Sequence, residues 1–404
     1  MSTRPVRTFA LTALSLVAAG LTVVGLGAPA HADGPGVGTP WVVSVGDSYI
    51  SGEAGRWAGN SNASESYVDA LGPTAYYDNA SNTGEQINRC HRSKAAEIHI
   101  GGGVSSLNLA CSGARTTTYI DSDGNFKPGL DFFDSGGQQG QALMLQTFAA
   151  THDVKMVAVS IGGNDFDFAS IVQSCVTDFL TSPTWWKNYC SDDSSVTANF
   201  TAADVAAVRA RIATAYQNVR TAMRNAGYAD NAWTLLVQDY ESPIPSGSGF
   251  RYGESGYTRQ STGGCGFWNH DADWANSTAL PTIDDTVFGA AMDSGLTNVR
   301  TLELASAFDG HRLCENTDDL VEANYSSWQA PGAVDKSEWI DQIRTISTAG
   351  SDYYIQESLH PNYWGELAVR SCLRQAWNGG TPRSGTCTTS GPGLLNGEPR
   401  MTLD

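Results

Sequence analysis

Positive charge is scarce in this chain. Lys and Arg number 24 against 42 Asp and Glu, a formal net charge of −18 over 404 residues. Nucleic acid is excluded as a partner, because nothing would neutralise its phosphates. Electrostatic capture by anionic lipid is disfavoured for the same reason. Charged residues of either sign make up just 16% of the chain, while 41% of residues are apolar and 10% aromatic, which excludes a disordered or fibrous protein. No apolar run beyond residue 32 is long enough to span a bilayer. No Cys-x-x-Cys pair occurs, so a cysteine metal site has little support, and neither metal nor cofactor is expected. The length suits one large α/β domain with ample core.

What is there begins with a leader. Arg4 and Arg7 precede an apolar stretch from Phe9 to about Leu26, and Ala30-His31-Ala32 follows as a small-x-small cleavage site. Residues 1–32 therefore read as a secretory signal cut near Ala32 rather than as a retained anchor. Its loss strips two arginines and no carboxylate, so the exported chain is more acidic still. Cys90, Cys111, Cys175, Cys190, Cys265, Cys314, Cys372 and Cys387 remain, an even set that suits four disulfides in an extracellular protein. Sequence cannot fix their pairing; sequential pairing closes the shortest loops and is the expectation. Residues 33–40 read as a flexible Gly/Pro leader, 41–377 as one folded domain, and 378–404 as a loop-like tail held through Cys372 and Cys387.

Four short apolar runs read as buried strands: Trp41–Val45, Lys155–Ile161, Trp233–Gln238 and Val299–Leu304. Val205, Val208, Ile212, Ala215, Val219 and Ala222 mark a helix that Thr201 and Asp204 open as a capping box. A second helix is expected from Pro361 to Trp377, with proline at its first position. Strands alternating with helices predict a three-layer α/β/α fold around a doubly wound, mostly parallel sheet. The intervals 52–110, 116–150, 240–297 and 305–355 read as long loop excursions over one face. Ligands of such sheets lie beyond the carboxyl ends of the strands.

Two motifs fall at such ends. Gly46-Asp47-Ser48 follows the first run, which places a serine hydroxyl at the sheet rim and its N–H at a helix start, where a developing oxyanion is favoured. Gly162-Gly163-Asn164-Asp165 follows the second; its glycines admit a ligand to the backbone and its Asn amide can donate without charge. Taken singly, each is an ordinary turn. A third motif, Ser358-Leu359-His360-Pro361, puts an imidazole just ahead of a helix start, which disfavours imidazolium and leaves the ring ready to accept a proton. Glu357 is the side chain placed to compensate.

Gly46-Asp47-Ser48, Ala110-Cys111-Ser112-Gly113-Ala114, Gly163-Asn164-Asp165 and His360-Pro361, in this order, resemble the blocks of the SGNH/GDSL serine hydrolases, in particular secreted actinobacterial esterases and lipases. The resemblance spans about 40 to 376. It implies that Ser48 is the nucleophile and His360 its base, with the oxyanion held by the Ser48 N–H, the Gly113 N–H and the Asn164 side chain. It also implies sequential pairing for the first three cysteine pairs. Where the family has Asp three residues before the histidine, this chain has Glu357; some relatives use a main-chain carbonyl instead, and that of Ser358 is the candidate. The resemblance implies a monomeric, cofactor-free carboxylic ester hydrolase without a stable membrane anchor, acting on lipid or aliphatic esters. A carbohydrate esterase, and a non-catalytic binding protein on the same scaffold, are the rival expectations.

Weaker signals carry plainer readings. Asp121-Ser122-Asp123-Gly124-Asn125 spaces oxygens like a calcium loop but lacks the later glycine and glutamate, so a solvated loop is expected. Trp185-Trp186, Trp268 and Trp274 suit either substrate contact or packing around disulfides. His311 beside Cys314 reads as structural. Tyr49 either lines the pocket or packs.

Overall fold

The four apolar runs form adjacent strands at the centre of the sheet. The structure, a computed structural model, describes residues 35–344 and 354–404; the proposed signal segment 1–32 lies outside the described residues. The strands are β1 (Pro40–Gly46), β2 (Ser105–Asn108), β3 (Asp153–Ser160), β4 (Thr234–Gln238), β5 (Val299–Glu303), β6 (Gly385–Leu395) and β7 (Glu398–Leu403). Their order is β7-β6-β5-β4-β3-β1-β2. Every neighbouring pair is parallel except β6 and β7. The main helices are α1 (Gln141–Ala149), α2 (Phe168–Thr181), α3 (Ala202–Asn225), α4 (Leu280–Asp293) and α5 (Tyr363–Trp377).

Strand alternation sorts the core into two layers. Val42, Met156, Ala158 and Leu236 face one side and pack with Ile171 and Val176 of α2 and Leu367 and Leu373 of α5. Val43, Val45, Val157, Val159, Leu235 and Val237 face the other, with Leu145 of α1, Ile212 and Val219 of α3, and Val287 of α4. This is the expected three-layer α/β/α arrangement. Helix α3 starts as its pattern requires, the Thr201 hydroxyl accepting the Asp204 N–H at 3.3 Å, and Val208, Ile212, Ala215, Val219 and Ala222 of its stripe are buried.

Several expectations need correction. Pro361 does not open α5. Asn362 caps it instead, its Oδ1 accepting from Trp364 N at 3.0 Å and Gly365 N at 3.4 Å, because an Asn side chain can satisfy two free amides that proline leaves unmet. The intervals read as loops contain regular elements: 52–110 holds β2, 116–150 ends in α1, and 240–297 carries α4. β2 is Ser-Ser-Leu-Asn on the sheet edge, so it needs no apolar run. The tail 378–404 is no loop. It folds into the β6–β7 hairpin, which extends the sheet beyond β5 and is clamped to α5 by the Arg374–Glu398 ion pair at 2.5 Å and by Cys372–Cys387. Gly391 and Pro392 hid it; the hairpin register shifts between Thr389 and Leu394, where they stand.

All eight cysteines pair in sequence order: Cys90–Cys111, Cys175–Cys190, Cys265–Cys314 and Cys372–Cys387, with separations of 21, 15, 49 and 15 residues. Such bridges fit an oxidising compartment. No helix of the described residues is long and apolar enough to cross a membrane.

β1 ends in a constraint only glycine meets. Gly46 has φ +134°, and a Cβ there would lie 1.9 Å from the Ser160 carbonyl oxygen of β3. Gly46→Ala must part β1 from β3, and a loss of more than about 2 kcal/mol in denaturant unfolding is expected.

Candidate active site

The strand order reverses between β1 and β3: β2 lies outside β1, while β3, β4 and β5 follow on the other side. Crevices open at such a reversal, beyond the carboxyl ends of the two strands. Ser48 follows β1 there, and Gly163-Asn164 follows β3.

Asp47 caps the short helical turn Ser48–Ser51, its Oδ1 accepting the Tyr49 N–H at 3.2 Å. Its Oδ2 accepts the Tyr240 hydroxyl at 2.5 Å, and the Tyr240 oxygen in turn accepts Gly163 N–H at 2.9 Å. Asp47 and Tyr240 thus tie the serine turn to the asparagine turn. Burial lifts the Asp47 carboxyl to about 7, against the opposing pull of its Tyr240 bond. The Asn164 amide donates to Ala114 O at 3.0 Å. Asp165 accepts from Thr116 N at 2.9 Å and Thr116 Oγ1 at 2.7 Å. Those bonds bring the Gly113 segment alongside, with Gly113 itself at φ +77°. Gln141 of α1 finishes the frame by accepting Gly46 N–H at 2.6 Å and donating to Gly46 O at 2.8 Å.

His360 arrives from the far end of the chain. Its Nε2 lies 2.7 Å from Ser48 Oγ and its Nδ1 3.0 Å from the Ser358 carbonyl oxygen. A carbonyl accepts only, so Nδ1 carries the proton and Nε2 is free to accept one from serine. Leu359, between them, is buried and left-handed at φ +62°. That turn, costly for a branched side chain, is held by Leu359 N–H to Asp341 O at 2.9 Å and Tyr49 OH to Leu359 O at 3.0 Å. Tyr49 packs its ring 5.1 Å from the imidazole.

Glu357 does not reach His360. Its carboxylate turns into the core, accepting the Tyr76 hydroxyl at 2.5 Å, Trp57 Nε1 at 2.9 Å and Tyr354 N at 2.9 Å. Three donors in one buried place outcompete a single imidazole N–H, and the Ser358 carbonyl takes the position facing Nδ1. Burial drives the Glu357 carboxyl upward in pKa. Burial also drives His360 downward, against an upward pull from the charge of Glu53. Sequence reasoning passed over Glu53. It is fully buried and pairs with His91 at 2.6 Å. Burial alone would lift its pKa, but the His91 charge and hydrogen bond, joined by the His360 charge and a bond from Ser112, together hold it down at about 2. Gln356 links this pair to the site, with its Nε2 3.1 Å from Glu53 Oε2 and 2.7 Å from Ser112 Oγ.

Ser48, Gly113, Asn164 and His360 line one cavity of about 620 Å³. The remaining candidates lie elsewhere. The Asp121 carboxylate is occupied by the N–H groups of Asp123 and Asn125 in its own turn. His311 stacks on Trp339 at 3.9 Å. Trp268 is buried, Trp274 packs edge-on to Phe200 at 5.3 Å, and Trp185 and Trp186 are exposed.

No protein-family model matches the chain, and no curated protein matches it. Among solved structures it is similar to an extracellular lipase from Streptomyces rimosus (20% identity, 85% of this chain and 100% of that one, TM-score 0.42). It is also similar to a phospholipase A1 from Streptomyces albidoflavus NA297 (18% identity, 81% and 95%, TM-score 0.42). A third is Est24, a carbohydrate acetylesterase from Sinorhizobium meliloti (12% identity, 65% and 83%, TM-score 0.27).

Titration of His360 by histidine-resolved NMR is expected to give a midpoint below 6.5, the ordinary value. Glu357→Gln leaves it in place, whereas Glu53→Gln removes a charge that favours imidazolium and lowers it further. A midpoint that moves with Glu357 and not with Glu53 reverses these assignments.

Proposed function

We propose that the protein is a carboxylic ester hydrolase that works through an acyl-Ser48 intermediate. The observation that carries this is the 2.7 Å approach of His360 Nε2 to Ser48 Oγ at the wall of the cavity shared with Gly113 and Asn164. Ser48 Oγ attacks the ester carbonyl as Nε2 takes its proton, and a C–O bond forms. The Ser48 N–H, Gly113 N–H and Asn164 amide receive the oxyanion. The intermediate then collapses, the C–O bond to the alcohol breaks, and the protonated ring gives its proton to the departing alcohol, leaving acyl-Ser48. Water repeats the sequence on the acyl-enzyme, with His360 again as the base. This is the logic of a serine triad in which a main-chain carbonyl stands in the place of the carboxylate.

The cavity favours acyl chains. Phe168, Val172, Val176 and Leu180 line it from α2, with Ile343 and Ile355 opposite. Besides the His360 imidazole, Phe168 is the single aromatic ring among its described lining residues, so no set of rings is presented for stacking a sugar. We therefore assign lipid or aliphatic esters in preference to acetylated polysaccharide. The disulfides suit the secreted location that the leader suggests.

A fluorophosphonate probe is expected to label the wild-type protein and not Ser48→Ala, and Asn164→Ala is expected to lose about 100- to 1000-fold in kcat. A folded wild-type protein that stays unlabelled is a binding protein instead. Across p-nitrophenyl esters, kcat/KM should rise beyond acetate; activity confined to acetate returns the substrate to the carbohydrate class. The protonated ring is the inactive form. Because burial depresses the His360 pKa, the acid limb of kcat/KM against pH should fall below 6.5, and activity is retained down to that limb.

A further inference from the structure

Helix α2 presents one continuous stripe to the cavity. Phe168, Val172, Val176 and Leu180 recur at every fourth position, from beside Ser48 to the last turn. At the rise of an α-helix this stripe extends about 18 Å. Its outer residue, Leu180, lines the cavity and is also 38% exposed. Just beyond the helix end stand Trp185, 81% exposed, and Trp186, 74% exposed. Across the cavity Ile355 lines the wall and is exposed as well.

The turn bearing the two tryptophans is built rather than loose. Trp186 N–H donates to Pro183 O at 2.9 Å. Asn188 donates from its backbone to Ser182 Oγ at 3.0 Å and from its side chain to Asp178 Oδ1 at 2.7 Å. Lys187 pairs with Glu254 at 2.6 Å and sits over the buried Trp268 ring. Cys175–Cys190 closes the whole segment onto α2. Rigid support beneath, and two large indoles left in water above, describe a surface awaiting a partner.

We propose that the Trp185–Trp186 turn is an interfacial docking element that seats the mouth of the α2 groove on a neutral or zwitterionic lipid surface. The proposal rests on the acyl-ester reading of the groove. An acyl chain drawn from such a surface would pass Leu180 and follow the stripe to Ser48 without crossing water. Indoles favour the boundary between lipid and water, where the ring is buried and the N–H stays wet. The two rings stand at 88° to each other, which gives no flat platform for a sugar. A net charge of −18 selects against anionic lipid and leaves apolar contact as the attraction.

The test separates docking from turnover. Ser48→Ala protein is sedimented with phosphatidylcholine vesicles, alone and combined with Trp185→Ala/Trp186→Ala. The first is expected to bind and the triple variant to lose roughly tenfold or more in partitioning. On the wild-type background, the Trp pair replaced by Ala should keep its rate on a soluble short-chain ester and lose a similar factor on ester presented in vesicles. Trp185→Tyr/Trp186→Tyr should retain part of the binding, which controls for a fold defect. Equal binding with and without the indoles overturns the proposal, as does the absence of vesicle binding, or retention on an insoluble polysaccharide that depends on the same pair. Vesicle binding by a protein that hydrolyses no ester leaves the docking surface standing and removes the hydrolase reading.

Discussion

The reversal of strand order between β1 and β3 is the constraint from which the site follows. Two parallel strands whose continuations run to opposite sides leave their carboxyl ends uncovered by a crossover. That gap is where Ser48 and Asn164 meet. Gly46 has no room for a side chain against Ser160, so the first strand must turn sharply at the gap. The bond from Tyr240 to Asp47 then fixes the two turns relative to each other. Tyr240 stands two residues beyond β4, so three successive strands of the sheet hold one small constellation. Asp47 and Asp165 sit within the motifs, and their carboxylates are taken up by Tyr49, Tyr240 and Thr116, which holds the loops that carry Ser48 and Asn164.

The imidazole is oriented by a neutral acceptor. A carboxylate beside Nδ1 would raise the histidine pKa and stabilise imidazolium strongly at close range. A carbonyl fixes the same tautomer with less of that stabilisation, and burial then leaves the ring as a weaker base. Glu53 offsets part of this from further away. Its own partner is His91, which a second acid, Glu85, approaches at 3.4 Å. The chain thus places negative charge near His360 without a direct hydrogen bond between carboxylate and ring. Glu357 is less readily charged: its pKa is raised by burial first and by repulsion from Glu53 next. Two buried carboxylates in one neighbourhood resist being ionised together, and the His91 pairing favours Glu53 as the charged one.

What was legible in the sequence follows from how each element is buried. β1, β3 and β4 lie inside a parallel sheet, are covered on both faces and show as apolar runs; β5 leaves Arg300 and Glu303 exposed and shows through the apolar residues beside them. β2 and the β6–β7 hairpin lie at the edges, where Ser, Thr, Gly and Pro are tolerated, and no such signal exists. Helix α4 begins Leu280-Pro281 after a stretch of π-helix, and the proline inside its first turn obscured a stripe that Ile283, Val287 and Ala290 do carry. The four motifs could be read because their spacing to a strand end or a helix start sets where a side chain emerges. The direction of Glu357 could not. A position three residues ahead of a histidine says nothing of a neighbouring Tyr76 or Trp57 that arrives from elsewhere in the chain, and those two decide where the carboxylate goes.

A hydrolase acting on a dissolved ester needs a cavity and a base but has no use for exposed indoles just past the helix that lines it. A hydrolase acting on an aggregated ester must meet a surface before it meets a molecule, and with acidic residues in excess it cannot be drawn there by anionic headgroups. Apolar contact remains, and it is effective where it is rigid, since ordering a flexible loop at the boundary would cost much of what burial gains. The Cys175–Cys190 bridge and the Asp178–Asn188 bond provide that rigidity on the helix that forms the groove wall. Docking and acyl placement therefore share one element, and the register of α2, set by its packing on the sheet, determines both.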